Sequence, residues 1–179
     1  ALVEKARELG LSEDDTIVGL NMGGGAMFAH KMWDVDEAAE FVRLAQEHVK
    51  CKVLLFGAER ERAKIEAIQA NCGDGVLSTG LNNTLQQFQA LVGLCHVLVG
   101  GDSLGMHFAV AQGVRQVVLF GPTCEQEIEL YDRGEKIVSP HDCVPCYDAA
   151  CDKSPSCMQA IEPGVVVDAV ERQLAARTL

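Results

Sequence analysis

The sequence predicts an α/β fold: one domain over residues 1–179, with a parallel sheet wound on both faces by helices. Segments with strand-like and helix-like patterns alternate along most of the chain. Residues 53–56 and 117–120 are apolar at every position, which is typical of strands that are covered on both faces. A chain of 179 residues with 48% hydrophobic content can bury a sizeable core.

The individual elements follow from short apolar runs and from apolar residues at helical spacing. The predicted strands are residues 16–20, 51–56, 75–78, 95–99, 116–120 and 136–139. The predicted helices between and after them are residues 34–50, 59–71, 84–93, 102–112 and 163–176. Thr84 is the expected N-cap of the third of these helices, and Pro163 lies at the start of the last. Only residues 139–162 form a long irregular segment.

Polar residues or glycines follow four of the predicted strands: Asn21, Gly57, Asp102 and Gly121. The carboxyl ends of parallel strands lie at one edge of a sheet, and ligands of doubly wound folds of the Rossmann-like class bind there. We therefore expect these four positions to contribute to one shared site.

The most informative motif is Asp-Ser-Leu-Gly-Met-His at residues 102–107, followed by Leu-Phe-Gly-Pro-Thr at residues 119–123. The first motif places a polar loop at a predicted helix start, where free backbone N–H groups and the helix dipole suit a phosphate. Gly105 lacks a Cβ and would let a ligand approach the backbone. The alternative is that Asp102 or Ser103 simply caps an ordinary helix.

The net charge of −11 argues against nucleic acid as a partner, because phosphate backbones are held by clusters of Lys and Arg. It does not exclude a nucleotide, which local donors can bind. The sequence contains no apolar run of membrane-spanning length and no signal segment. The chain begins at Ala1 and not at Met, so we expect it to be part of a longer protein.

Four of the eight cysteines lie within residues 143–157: Cys143, Cys146, Cys151 and Cys157. Their spacing predicts a structural zinc site, since two close pairs of thiolates can surround a tetrahedral ion. An iron–sulfur cluster, two disulfides and four free thiols are the alternatives, and His141 could replace one ligand. In each bridged case the bridge would fasten an irregular segment that has little core of its own.

Taken together, these motifs resemble the carboxy-terminal half of glycosyltransferase family 9, the heptosyltransferases of lipopolysaccharide core assembly and their relatives. Lys-Met-Trp at residues 31–33, Phe-Gly-Ala-Glu-Arg-Glu at residues 56–61 and Cys-Met at residues 157–158 add to the resemblance. It implies one half of a GT-B fold, holding a nucleotide-sugar donor that is typically ADP-heptose. The acceptor and the catalytic base would belong to an amino-terminal domain that this chain lacks. The isolated half would bind donor without turnover, in the cytoplasm or peripherally at the inner membrane through the missing half.

The resemblance also implies roles near the diphosphate. Ser103, Leu104 and Gly105 would meet the diphosphate and sugar, and Asp102 would meet sugar hydroxyls or brace the loop. Lys31 and His107 would stabilise the leaving nucleoside diphosphate. The alternatives are a surface lysine beside a packing Trp33 and a histidine packed under the loop.

Further roles fall on the other loops. Glu61 would accept hydrogen bonds from the ribose hydroxyls, with Glu59 as a second candidate for this role. Asn83 would line the base, and Thr123 would reach phosphate or sugar. Residues 25–29 replace the threonines that many heptosyltransferases carry there, so Asn21 and residues 23–25, Gly25 included, would supply backbone donors instead. Leu104-Gly105 stands where many members have Gly-Leu.

Two other functions remain open from the sequence. One is a stand-alone Rossmann-class module that binds a nucleotide or metal and catalyses nothing. The other is a nucleotide-sugar epimerase, since these enzymes also use the GT-B architecture. The beginning of the chain at Ala1 favours the donor half of a transferase.

Overall fold

The computed structural model describes residues 2–25 and 30–178, and in this part of the chain six strands and six helices are found. The strands are β1 (Ile17–Asn21), β2 (Lys52–Phe56), β3 (Val76–Ser78), β4 (Val97–Gly101), β5 (Arg115–Phe120) and β6 (Gly134–Val138). The helices are α1 (Leu2–Glu8), α2 (Val35–His48), α3 (Arg62–Cys72), α4 (Leu85–Val92), α5 (Leu104–Gln112) and α6 (Pro163–Ala175). A turn of 3₁₀ helix at Glu59–Glu61 leads into α3.

The strands form one sheet in the order β3-β2-β1-β4-β5-β6, and every neighbouring pair is parallel. The predicted Rossmann-like α/β fold is therefore confirmed. From β1 the chain continues outward to β2, and from β4 it continues in the opposite direction to β5. The carboxyl ends of β1 and β4 consequently flank a crevice of the kind in which doubly wound folds bind ligands.

Both faces of the sheet are buried because successive side chains of a strand point to opposite sides. In β2, Val53 and Leu55 pack into the core cluster formed with α2, α3 and α6. Leu54 and Phe56 pack into a second cluster, which includes residues of α4 and α5. This explains why residues 53–56 are apolar without alternation.

Trp33 anchors the segment that precedes α2. Its side chain is fully buried, and its ring centroid lies 5.7 Å from that of Phe41. The indole Nε1–H donates to the carbonyl oxygen of Ile161 at 3.1 Å, so this buried polar group is satisfied. Trp33 thereby fixes the backbone two residues after Lys31, at the carboxyl edge of the sheet.

The predicted elements differ most from the structure around the glycines that follow Val99. Gly100 and Gly101 belong to β4, pairing with β1 and β5, and not to a loop. Steric crowding explains their presence in a strand. A Cβ on Gly100 would lie 3.2 Å from the Cβ of Asn21, and one on Gly101 would lie 2.3 Å from the carbonyl oxygen of Lys31. Helix α5 accordingly begins at Leu104, with Ser103 as its N-cap.

Several local predictions are confirmed. Thr84 caps α4: its Oγ1 accepts from the N–H of Gln87 at 3.2 Å, and its own N–H donates to the Gln87 side chain at 2.9 Å. Pro163 occupies the first turn of α6. None of the helices within residues 2–25 and 30–178 has the length and apolar character needed to cross a membrane.

Candidate functional site

A cleft of about 450 Å³ opens at the carboxyl edge of the sheet, above the ends of β1 to β4. It is lined by nine of the eleven residues to which the family resemblance assigns contacts with the nucleotide sugar: Asn21, Gly25, Lys31, Glu61, Asn83, Asp102, Ser103, Leu104 and Gly105. Gly57, the residue after β2, lines it as well. The structure thus brings residues far apart in the sequence to one place, as expected for a shared site.

Asn21 joins the end of β1 to the start of α5. Its side chain is only 4% exposed. Its Nδ2 donates to Ser103 Oγ at 2.9 Å and to the carbonyl oxygen of Gly23 at 3.3 Å, while its Oδ1 accepts from the Gly23 N–H at 3.4 Å. The amide is therefore fully engaged with protein groups and braces the cleft from below.

The amino terminus of α5 forms part of the cleft wall. Ser103 is the N-cap, yet its side chain makes no capping hydrogen bond to the helix. The first N–H groups of a helix have no partner inside it, and Leu104 and Gly105, which carry two of them, line the cleft. Free N–H groups at the positive end of a helix dipole favour an anionic ligand.

Lys31 and Asp102 form an ion pair in the cleft. Lys31 Nζ lies 3.1 Å from Asp102 Oδ2 and 3.3 Å from the main-chain oxygen of the same residue. The two side chains are 13% and 21% exposed. The pair places an ammonium group, together with its carboxylate partner, beside the amino terminus of α5.

Glu61 is held in a fixed position on the opposite side of the cleft. It is 8% exposed, and its Oε2 accepts from the N–H of Ala58 at 2.9 Å. Arg60 Nε lies 2.9 Å from its Oε1. A carboxylate offers about four lone-pair sites, so two acceptor positions remain for a diol.

Sequence reasoning missed several lining residues. Arg60 adds a second cation to the cleft, and Thr79 extends the site to the end of β3. Thr79 directly follows β3 and Arg60 lies four residues after the end of β2, and this closeness to a strand end is the signal that could have found them. Leu85 and Phe88 of α4 form an apolar wall, on which Leu85 is 65% exposed. Their helical spacing matched a packing face, so nothing in the sequence distinguished them.

Asn83, by contrast, lines the cleft as predicted and also shapes the loop after β3. Its Nδ2 donates to the carbonyl oxygens of Gly80 at 2.9 Å and Thr79 at 3.2 Å. The amide nitrogen is thus used by the loop. This leaves the side-chain oxygen as the atom with which Asn83 would contact a ligand.

Three expected positions lie outside the cleft lining. His107 is exposed on α5, and Thr123 is buried after β5. Gly121 is explained by packing, because a Cβ there would lie 2.6 Å from Cys157 Sγ and 2.7 Å from Met158 Sδ. The expectation of four strand ends around one site is therefore correct for Asn21, Gly57 and Asp102 and wrong for Gly121. The donor-binding roles of His107 and Thr123 remain predictions.

Part of the glycine-rich loop after β1 cannot be compared with the prediction. Gly25 is described, with a φ of 82° that suits glycine. Of residues 25–29, the stretch where many family members carry threonines, residues 26–29 lie outside the described residues.

The four clustered cysteines are free thiols, and Cys157 is the buried one. Burial raises the pKa of Cys157, and Cys151, Cys146 and Cys143 raise it further, so the four residues share one neighbourhood. Within the described residues, however, no three His, Cys, Asp or Glu side chains are arranged to hold a metal ion. The thiols as placed do not fit zinc or an iron–sulfur cluster. The zinc site remains a prediction, and the metal content of the purified chain tests it.

Comparison with known proteins decides the family. The sequence pattern of glycosyltransferase family 9 (heptosyltransferase) matches residues 5–156. The chain belongs to this family. Lipooligosaccharide heptosyltransferase 2 of Campylobacter jejuni is 26% identical over 170 residues, which cover 90% of this chain and 52% of that protein. The chain thus spans about half the length of the curated relatives that it matches.

Solved structures show the same fold. A family 9 glycosyltransferase from Veillonella parvula superposes with a TM-score of 0.83 at 19% identity, covering 98% of this chain and 50% of the other. ADP-heptose lipopolysaccharide heptosyltransferase II of E. coli gives 0.78 at 20% identity, covering 99% and 52%. An E. coli heptosyltransferase solved with ADP-2-deoxy-2-fluoro heptose gives 0.66 at 13% identity, covering 93% and 52%. The chain has the Rossmann-like fold of one half of a GT-B glycosyltransferase.

Proposed function

We propose that this chain is the donor-binding half of an inverting glycosyltransferase of lipopolysaccharide biosynthesis. The donor would be a nucleoside diphosphate linked to a heptose-like sugar, with ADP-heptose as the first candidate. The observation that carries the proposal is the cleft itself. One cavity combines the free amino terminus of α5, the Lys31 ammonium and the Glu61 carboxylate. The E. coli relative that was solved with an ADP-heptose analogue supports the choice of ligand.

Each part of the cleft matches one part of such a donor. The N–H groups of Leu104 and Gly105 suit the diphosphate, with Lys31 beside them. Glu61 suits the vicinal diol of a ribose, because a carboxylate accepts both hydroxyl hydrogens. The apolar side chains of Leu85 and Phe88 offer a surface for the flat base, with the Asn83 oxygen at the edge.

In the transfer step an acceptor hydroxyl would attack the anomeric carbon while the bond from that carbon to the diphosphate oxygen breaks. The configuration at the anomeric carbon inverts, and the nucleoside diphosphate leaves with the bonding electrons. A base in the missing half takes the proton of the acceptor hydroxyl. The role of this chain would be to stabilise the charge that develops on the diphosphate. Donors fixed in place before the reaction do this at little reorganisation cost.

Calorimetric titration of the reduced chain with ADP, UDP, GDP and ADP-heptose tests the proposal. We expect one nucleotide to bind selectively and its affinity to fall in Lys31→Ala and Ser103→Ala proteins. Ser139→Ala is the matched control, because Ser139 is a buried serine whose Oγ accepts a backbone N–H outside the cleft. A folded chain that binds no nucleotide at millimolar concentration would contradict the donor-half proposal and would leave only the metal-binding form of the alternative, a module without catalysis.

A further inference from the structure

The side-chain amide of Asn21 has one defined orientation. Its Oδ1 accepts from the Gly23 N–H at 3.4 Å, and its Nδ2 donates to the Gly23 carbonyl oxygen at 3.3 Å. A backbone N–H cannot accept and a carbonyl cannot donate, so exchanging the two amide atoms would break both contacts. The atom that faces Ser103 is therefore the nitrogen.

This orientation fixes the role of the Ser103 hydroxyl. The Asn21 nitrogen lies 2.9 Å from Ser103 Oγ and can only donate, so the serine oxygen must accept. The hydroxyl hydrogen then points elsewhere. Ser103 makes no side-chain cap to α5, and the described residues offer its hydroxyl no acceptor. Because Ser103 lines the cleft, an acceptor there would receive this hydrogen.

We infer that Asn21 is a positioning residue that commits the Ser103 hydroxyl to donate to a phosphate oxygen of the bound nucleotide. Phosphate oxygens only accept, which matches a hydroxyl whose own oxygen is already occupied. Asn21 is not itself a ligand, since it is 4% exposed and both ends of its amide are used. The inference rests on the proposed donor site and adds the residue that sets the hydrogen-bond direction within it.

Two glycines leave the space that Asn21 needs. A Cβ on Gly105 would lie 2.8 Å from Asn21 Nδ2, and one on Gly100 would lie 3.2 Å from Asn21 Cβ. The sequence suggested that Gly105 lets a ligand approach. The structure adds a second reason: the absent Cβ leaves room for the amide that contacts Ser103.

A double-mutant cycle on the chain tests the inference, with ADP and adenosine as the two probes. We expect Asn21→Ala and Ser103→Ala each to weaken ADP binding about tenfold or more, the usual effect of losing a hydrogen bond to a charged group. The double variant should bind ADP no more weakly than the weaker single variant, because both changes remove the same interaction. Adenosine, which has no phosphate, should bind all four proteins equally.

The outcomes separate the two proposals. The inference is wrong if the wild-type chain binds ADP but the losses of ADP affinity caused by the two substitutions multiply in the double variant. It is also wrong if the substitutions weaken adenosine binding in parallel. In either case Asn21 merely supports the shape of the cleft. If the folded wild-type chain binds ADP no better than adenosine, there is no phosphate site, and the donor-half proposal fails with it.

Gly105→Ala provides a second route should Asn21→Ala not fold. Its methyl group would push the Asn21 amide away from Ser103 while both side chains remain. We expect it to weaken ADP binding about tenfold in the wild-type background and to have no further effect in the Ser103→Ala background. A tenfold loss that persists in the Ser103→Ala background would show that the methyl group blocks the ligand directly, and would overturn this account.

Discussion

Lys31 Nζ contacts two oxygens of Asp102, the carboxylate Oδ2 at 3.1 Å and the main-chain carbonyl at 3.3 Å. The first is a charged partner and the second a neutral one. A substitution can therefore remove the negative charge and leave the lysine in place. The effect of that substitution on anion binding distinguishes a lysine that only pairs with Asp102 from a lysine that is directed towards a bound anion.

Asp102→Asn should strengthen ADP binding about threefold to fivefold, the size of a partly exposed charge interaction. The asparagine oxygen and the carbonyl still hold the ammonium, while repulsion between the carboxylate and a diphosphate disappears. Lys31→Met should weaken ADP binding in the same titration. Asp168→Asn, an exposed carboxylate on α6, is the control and should change nothing. Weaker ADP binding by Asp102→Asn would contradict this assignment of charges.

Glu61→Gln should remove the preference for ribose over deoxyribose. A carboxylate accepts from both hydroxyls of a diol, and the amide offers one acceptor fewer. We expect the wild-type chain to bind ADP about tenfold more tightly than 2′-deoxy-ADP and Glu61→Gln to bind the two alike.

Glu59→Gln is the matched comparison for Glu61, because Glu59 lies two residues earlier and is occupied by Arg62 at the surface. The ribose preference should survive this change. A preference lost in Glu59→Gln and kept in Glu61→Gln would transfer the role to Glu59.

Gly101→Ala should destabilise the fold by about 1–3 kcal/mol, the usual cost of overpacking. The added Cβ would lie 2.3 Å from the Lys31 carbonyl, which cannot yield without moving the segment fixed by Trp33. Gly164→Ala is the opposite case: nothing lies within 4 Å of its Cβ, and it stands in α6. It should stabilise by about 0.5 kcal/mol through helix propensity. Urea denaturation of both variants measures the difference, and equal effects would show that the contact at Gly101 is not limiting.

Glu135→Gln should reveal a pH-dependent contribution from the contact between β6 and α6. Hydrogen bonds from Arg172, whose Nη2 lies 2.9 Å from Oε2, lower the pKa of Glu135. Because the pKa of Glu135 is lower in the folded state, its carboxylate stabilises the folded protein at pH values above the unfolded-state pKa of about 4.3. The stabilisation disappears as the pH falls through the folded value.

Wild type should therefore exceed Glu135→Gln in free energy of unfolding by about 0.5–1 kcal/mol at pH 7. The two should converge once the pH falls below the lowered pKa of Glu135 in the folded state. The same denaturation series with Glu171→Gln, an exposed carboxylate on α6, provides the baseline. A constant difference down to low pH would mean that packing, and not charge, makes the contribution.

The sequence predicted the sheet, the positions of its six strands and most of the cleft, because uninterrupted apolar runs and polar strand ends are local signals. It predicted the boundary of β4 wrongly because glycine usually ends a strand. Here Gly100 and Gly101 remain in the strand, since Asn21 lies directly against Gly100 and the Lys31 carbonyl lies directly against Gly101. That crowding involves residues about 70–80 positions apart, which no local pattern records.

Residues that act through another residue were equally hard to predict. Asn21 was expected to contribute backbone donors, whereas the structure gives its side chain the main contacts. His107 follows the loop motif closely in sequence, but one helical turn carries it to an exposed position outside the cleft.

The hydrogen bond from Trp33 to Ile161 links residues 128 positions apart. One partner stands two residues after the cleft lysine, and the other closes the cysteine-containing segment, which otherwise has no part in the cleft. Insertions and deletions in that segment are therefore constrained, even in relatives in which the thiols have no function. Any such change would also have to provide a new acceptor for the indole. We expect the two regions to have diverged together.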